Sequence, residues 1–125
     1  MTKILGIDYG RSKIGMATSD GPISEPWKVI KVKSFEDAVE KIKSVTIEAS
    51  VDKIIVGISE GEMGEESKKF AEKIGAETSD ETLSTQDAQR MSIEAGISRK
   101  KRREMEDAYA AAVMLQNYLD SSNII

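Results

Sequence analysis

The sequence has 125 residues, of which 39% are hydrophobic and 32% charged, and this fits one compact domain over residues 1–125. It contains neither cysteine nor histidine, which excludes disulfides, thiolate metal sites and every Ser-His-Asp mechanism. Metal binding would therefore need oxygen ligands, which favour Mg²⁺ or Mn²⁺. The N-terminal apolar stretch, interrupted by Asp8, is too short for a signal peptide, and no run approaches a membrane span. We expect a cytoplasmic protein with no membrane partner.

The first third of the chain predicts a three-stranded antiparallel meander. Its first strand is the apolar run Lys3–Asp8, and Gly10–Lys13 has the composition of a hairpin loop before a second strand, Ile14–Ser19. The next loop is expected to contain Gly21-Pro22 and Glu25-Pro26. The third strand is predicted over Trp27–Val32.

The period then changes to that of a helix, with apolar residues from Phe35 to Ala49 and a capping box at Ser34 and Asp37. The continuous apolar run Lys53–Ile58 is typical of a strand buried on both faces. Gly61 and Gly64 predict a loop.

The second half of the chain predicts three helices and one weak strand. A helix through Phe70 is expected to end at Gly75, and a strand with poor propensity follows at 75–79. A capped helix is predicted over 84–96 and a last helix over 105–119. These alternating elements indicate an α/β fold with a mixed sheet flanked by helices.

Three carboxylates lie where ligands are often found. Asp8 ends the first strand, and Gly10 follows it, where a positive φ or a close backbone approach is possible. Glu81 follows the weak strand, at the sheet edge where open α/β sheets bind ligands. Asp107 lies one turn into the last helix. Each has an ordinary alternative: a turn aspartate for Asp8, and charge compensation at a helix N-terminus for Glu81 and Asp107.

The basic residues are unevenly distributed. The net charge of −4 argues against a nucleic-acid binder, but Arg99, Lys100, Lys101, Arg102 and Arg103 are consecutive. Such a run is usually a solvated surface. A local positive patch can nevertheless bind phosphate, and without aromatic residues it would hold the nucleic-acid backbone rather than stack on bases.

Three segments taken together resemble the YqgF family of Holliday junction resolvases and pre-16S rRNA processing nucleases. The segments are 4–20, containing Ile7-Asp8-Tyr9-Gly10, then 80–101, containing Asp80-Glu81-Thr82, and 107–120, containing Asp107-Ala108-Tyr109. Their order and spacing match the family over almost the whole chain.

The resemblance implies an RNase H-like fold with a five-stranded sheet in the order 3-2-1-4-5, in which strand 2 is antiparallel to the rest. It implies that Asp8, Glu81 and Asp107 converge at one sheet edge as catalytic residues and ligands of two metal ions. Asp8 would bridge the two ions, and Glu81 and Asp107 would hold one each. The residues expected to contact the substrate are Lys13, Arg99, Lys100, Gly10 and Ser84. The expected partner is a ribosomal RNA precursor or branched DNA, bound by a monomer or a homodimer.

Two alternatives stay open, and the first rests on departures from the family pattern. The family usually has Asp-Pro-Gly where this chain has Asp8-Tyr9-Gly10, arginine where it has Thr82, and a longer loop after Gly57. These differences would suit a non-catalytic nucleic-acid-binding module of the same fold. An Asp-x-Gly hairpin also opens nucleotide-binding ATPases, but that architecture needs two such domains and this chain provides one.

Overall fold

A computed structural model describes residues 2–58, 61–80 and 104–122 of the chain. The elements follow the predicted order, and we number them along the chain as β1 (Ile4–Asp8), β2 (Lys13–Ser19), β3 (Ser24–Lys31), α1 (Phe35–Glu48), β4 (Lys53–Ile58), α2 (Glu62–Ile74), β5 (Glu77–Asp80) and α3 (Glu106–Ser122). The predicted helix over 84–96 lies outside the described residues.

The strands form one mixed sheet in the order β3-β2-β1-β4-β5, as the family resemblance implies. β2 pairs antiparallel with both β1 and β3, whereas β4 pairs parallel with β1 and β5. β1 is therefore the central strand, and its carboxyl end lies at the same sheet edge as those of β3, β4 and β5. Parallel strands buried on both faces read as continuous apolar runs, which explains the composition of β4.

The two faces of the sheet pack against different helices. One face and helices α1 and α2 form a cluster of large side chains, including Leu5, Ile7, Ile14, Met16, Ile42, Val56 and Phe70. The other face packs against α3 through a second cluster, including Ile4, Ala17, Ile55, Ala111, Ala112, Met114 and Leu115. Residues alternate between these clusters along β1, since successive side chains of a strand point to opposite faces.

Several local predictions are confirmed. Ser34 caps α1, where its side-chain oxygen accepts a hydrogen bond from the Asp37 amide at 3.0 Å. Asp37 in turn accepts one from the backbone amide of Lys33 at 2.9 Å. α2 ends just before Gly75, and the weak strand is present as β5 in spite of its poor propensity. Its parallel pairing with β4 supplies what the local sequence lacks.

Pro26 and Gly64 were predicted in loops but lie in regular elements, and the strand predicted at 75–79 is observed two residues later at its start, as Glu77–Asp80. β3 begins at Ser24 and includes Pro26, which was expected in a loop; proline is tolerated there because β3 is an edge strand. Gly64 is not in a loop but in the first turn of α2, where it is buried and its amide donates to the Gly61 carbonyl at 3.1 Å. Packing against the core outweighs the low helix propensity of glycine at that position.

Within the three described segments, no helix is long and apolar enough to span a membrane.

Candidate functional site

Asp8 is the last residue of the central strand and belongs to the sheet face that α3 covers. Two residues earlier, Gly6 lies against that helix, since a Cβ on it would be 2.9 Å from the Cβ of Leu115. Because side chains two apart along a strand share a face, the Asp8 carboxylate is on the α3 side of the sheet. Asp8 is only partly buried, at the carboxyl edge of the strand.

Gly15 joins Asp8 to the start of α3. In the antiparallel β1–β2 ladder, Gly15 is the direct partner of Asp8. A Cβ on Gly15 would overlap the backbone carbonyl of Asp107, so the first turn of α3 lies directly on this glycine. The structure therefore brings Asp8 and Asp107 to the same point of the sheet. Sequence reasoning missed the role of Gly15; the signal was its position, small and buried, among larger residues of β2.

Lys13 adds a positive charge to this pair of aspartates. Its Nζ lies 3.9 Å from Oδ2 of Asp107, with the two side chains 57% and 36% exposed. An ion pair so long and so exposed adds little to stability. Its consequence is local: an ammonium group stands beside a carboxylate that was predicted to be catalytic, and it is accessible to an anion.

Gly10 allows the tight turn between Asp8 and Lys13. A Cβ on Gly10 would be 2.6 Å from the Lys13 carbonyl oxygen, so the close backbone approach considered for this glycine is present. Tyr9, which stands where the family usually has proline, points to the opposite face and is buried there. Its ring packs 4.6 Å from that of Phe70, measured between centroids. This packing role of Tyr9 was not predicted, because the burial of one tyrosine leaves no periodic signal.

A polar network ties this turn to α2. The Tyr9 hydroxyl donates to Oε2 of Glu66 at 2.8 Å, and Nε of Arg11 donates to Oε1 of the same carboxylate at 3.1 Å. Burial and the neighbouring Glu66 raise the pKa of Tyr9 above its usual range. The Tyr9 hydroxyl and Arg11 hold the pKa of Glu66 below its ordinary value. Glu66 thus stays ionised and Tyr9 stays neutral over the physiological pH range.

The body of α3 is fixed to the β2–β3 connection. The Ser24 hydroxyl donates to the Ala112 carbonyl at 2.6 Å, and the Gln116 side chain accepts from the Ser24 amide at 2.9 Å. The amide nitrogen of Gln116 also donates to the Pro22 carbonyl at 2.8 Å. These contacts hold α3 along the sheet. Asp107 lies in the first turn of the same helix, so its position depends on how the helix is held.

Of the predicted site residues, the structure places Asp8, Gly10, Lys13 and Asp107 around the β1–β2 turn. The other predicted site residues, Glu81, Ser84, Arg99 and Lys100, lie outside the described residues, as does Thr82. Among the residues that are described, no group of three or more carboxylates forms a metal cluster. Asp8 and Asp107, whose backbones both lie next to Gly15, offer only oxygen donors, which suit Mg²⁺ or Mn²⁺ rather than a softer metal.

Comparison with solved structures identifies the class of fold. RuvC of T. thermophilus, solved in complex with a Holliday junction substrate, aligns with a TM-score of 0.62 over 98% of each chain at 12% sequence identity. The Fowlpox virus resolvase, solved with Holliday junction DNA, gives a TM-score of 0.65 at 13% identity, covering 98% of this chain and 99% of its own. The fold is that of the RNase H-like resolvases, as predicted.

Sequence comparison then identifies the family. The model of the family "RuvX: Holliday junction resolvase" matches residues 2–121. A protein of Clostridioides difficile named "Putative pre-16S rRNA nuclease" is 38% identical over 94% of each chain. One of Thermoanaerobacter pseudethanolicus with the same name is 40% identical, over 95% of this chain and 96% of its own. This chain belongs to the RuvX family, and the resemblance drawn from its three segments is confirmed.

Proposed function

We propose that this protein is a nuclease that hydrolyses phosphodiester bonds with the help of divalent metal ions held by Asp8, Glu81 and Asp107. The observation that carries the proposal is that Asp8 and the backbone of Asp107 both lie next to Gly15, at one edge of the sheet. The chain continues to Glu81 directly after Asp80, the last residue of β5. Membership of the RuvX family and the nuclease names of its relatives support the same activity.

The residues fit the chemistry. Three carboxylates are enough to hold Mg²⁺ or Mn²⁺, because phosphate and water oxygens complete the coordination. Bound ions would supply an activated water and relieve the charge on the leaving oxygen. The chain itself contributes a fixed carboxylate at the end of the central strand and a second one on a helix anchored to that strand. Lys13, Arg99 and Lys100 would neutralise backbone phosphates, with Gly10 and Ser84 lining the substrate path.

For the substrate, we favour a ribosomal RNA precursor. Relatives of 38% and 40% identity over nearly the whole chain are named for pre-16S rRNA. The description of the family favours the second candidate, a four-way DNA junction. Junction resolution would require a homodimer, since two strands have to be cut symmetrically, whereas trimming of an RNA end would need only a monomer.

The test is a cleavage assay with the purified protein, using a labelled precursor-like ribosomal RNA end, single-stranded RNA and a four-way DNA junction, with and without Mg²⁺ or Mn²⁺. Asp8→Asn keeps the size of the side chain and removes its charge, so we expect metal-dependent cleavage to be abolished while the protein stays folded. Asp20→Asn is the matched control, because Asp20 is exposed and lies just beyond the opposite end of β2. Full activity of Asp8→Asn would rule out the assignment of the site. Binding of substrate without cleavage by the wild-type protein would instead favour the non-catalytic module.

A further inference from the structure

Beside the Asp8–Asp107 site, the β2–β3 ladder carries a second lysine that no part of the proposed function uses. Lys31, the last residue of β3, is the direct cross-strand partner of Lys13. The neighbouring pair, Ile14 and Ile30, packs into the core on the α1–α2 side. By the alternation of strands, Lys13 and Lys31 therefore both lie on the opposite face, the face of α3 and the two aspartates. The 3.9 Å contact between Lys13 and Asp107 agrees with this placement.

This pair of lysines does not stabilise the sheet. Like charges directly opposite each other in a ladder repel. The backbone carbonyl of Lys31 accepts a hydrogen bond from Nζ of Lys41, and Lys41 forms an ion pair with Asp37. Neither contact neutralises the ammonium group of Lys31. Within the described residues, no carboxylate lies within ion-pair distance of that ammonium. Two neighbouring and accessible ammonium groups are complementary to an anion such as a phosphate.

The charges on either side of the turn between β1 and β2 differ in sign. On the β3 side, Lys31 and Lys33 are exposed near the end of the strand. On the other side, the first turns of α2 carry Glu62, Glu65 and Glu66, which face the solvent or the turn. The acidic residues of α2 would repel a polyanion at the Asp8–Asp107 site, and the lysines of β3 would attract it. Because β3 is the edge strand of the described sheet, a nucleic acid that crosses it meets no further strand among the described residues.

From this juxtaposition we propose that the nucleic acid runs from the Asp8–Asp107 site across the end of the β2–β3 ladder that carries Lys13 and Lys31, beyond the first turn of α3 on Gly15, and that Lys31 binds a backbone phosphate next to the one held by Lys13. Adjacent strands are about 5 Å apart, so the two ammonium groups follow one another along the path. The contact is to the backbone, so it adds affinity and direction but no base preference. This inference rests on the proposed function and adds the side of the sheet on which the substrate lies.

The test separates binding from cleavage by using Asp8→Asn as the parent protein, without divalent ions. Binding of labelled single-stranded RNA and of a labelled four-way DNA junction is followed by fluorescence anisotropy over a series of salt concentrations. Each phosphate contact contributes a slope of about −0.7 to −0.9 to the logarithm of affinity against that of salt. When the salt concentration rises from about 50 to 200 mM, the affinity of the parent should therefore fall by a factor roughly three times larger than the affinity of the same protein carrying Lys31→Ala.

Two further variants make the result specific. Lys73→Ala removes an exposed lysine from the last turn of α2, at the opposite edge of the sheet, and should leave the slope unchanged. Lys31→Arg keeps the charge and should restore the slope, which a purely structural role of Lys31 would not predict. Circular dichroism checks that each variant is folded; if Lys31→Ala is not, Lys31→Gln takes its place.

The outcomes are distinguishable. If the parent binds but Lys31→Ala has the same salt slope as the parent, the path across β3 is wrong while the proposed function stands. If the parent binds neither probe at any salt concentration, the path fails, and the cleavage assay with the wild-type protein and divalent ions decides whether the proposed function fails with it. The path is supported if the affinity of Lys31→Ala depends less steeply on salt than that of Lys73→Ala, and if Lys31→Arg restores the steeper dependence.

Discussion

The two faces of the sheet are built differently, and the difference separates stability from function. The face covered by α1 and α2 uses large side chains, among them Phe70, Leu5 and Ile7, all fully buried. The face covered by α3 uses glycine and alanine at its centre, so the backbone of the helix lies almost against the strands. Large side chains fill space and bury apolar area; small ones allow a helix to bring a functional group close to a strand.

The largest effect should come from emptying the first face. Phe70 is fully buried and packs against the rings of Tyr9 and Phe35. Phe70→Ala should lower the free energy of unfolding by about 3–5 kcal/mol, through lost burial and the cavity left behind. Urea unfolding measures this loss, and Phe70→Leu should lose much less. A loss below about 1 kcal/mol for Phe70→Ala would show that this cluster is not the main source of stability.

A smaller loss of stability with a larger loss of activity is expected on the second face. In Gly15→Ala the new Cβ would overlap the Asp107 carbonyl, so the start of α3 must move away from Asp8. We expect a loss of about 1–3 kcal/mol in unfolding free energy, as for other overpacked sites, together with a strong decrease in cleavage. Urea unfolding and the cleavage assay, both on the same preparation, measure the two effects.

Ile42→Val is the control for Gly15→Ala. Ile42 is fully buried on the α1–α2 face, so this variant should lose about 0.5–1.5 kcal/mol and keep its activity. If Gly15→Ala, corrected for the folded fraction, cleaves as fast as Ile42→Val, then the close approach of α3 is not required for function.

The smallest effect concerns the network that joins the β1–β2 turn to α2. Tyr9→Phe keeps the ring and removes the hydrogen bond to Glu66, so it should lose about 1 kcal/mol at neutral pH. Because the pKa of Tyr9 is raised in the folded state, its contribution is complete below the ordinary tyrosine pKa of about 10 and is lost at higher pH. Because the pKa of Glu66 is lowered, its contribution is complete above its ordinary pKa and is lost as the pH falls below it.

The stability difference between the wild type and Tyr9→Phe should therefore be constant at neutral pH and decrease towards both alkaline and acidic pH. Thermal or urea unfolding at a series of pH values measures it. Tyr118→Phe is the control, since the Tyr118 hydroxyl donates to Oε2 of Glu77 at an exposed position on β5, the edge strand opposite β3 in the described sheet. A difference that does not change with pH would mean that the Tyr9–Glu66 hydrogen bond does not contribute to stability.

The sequence by itself determined the order of the elements, the mixed sheet and the family. Periodicity revealed α1, the buried run revealed β4, and Ser34 predicted a cap that is present, because each of these signals acts over a few neighbouring residues. Asp8 could be singled out as well, since it ends the first strand in a motif with Gly10.

Only the tertiary structure decided how these parts meet. Local propensity argued against Gly64 in a helix and Pro26 in a strand, and packing and an edge position overruled it. Nothing in the sequence near Gly15 pointed to Asp107, which is far along the chain, and nothing near Tyr9 pointed to Glu66. The pairing of Lys13 with Lys31 likewise depends on strand register. Register and helix docking are set by contacts between distant residues, so the geometry of the site exists only once the chain is folded.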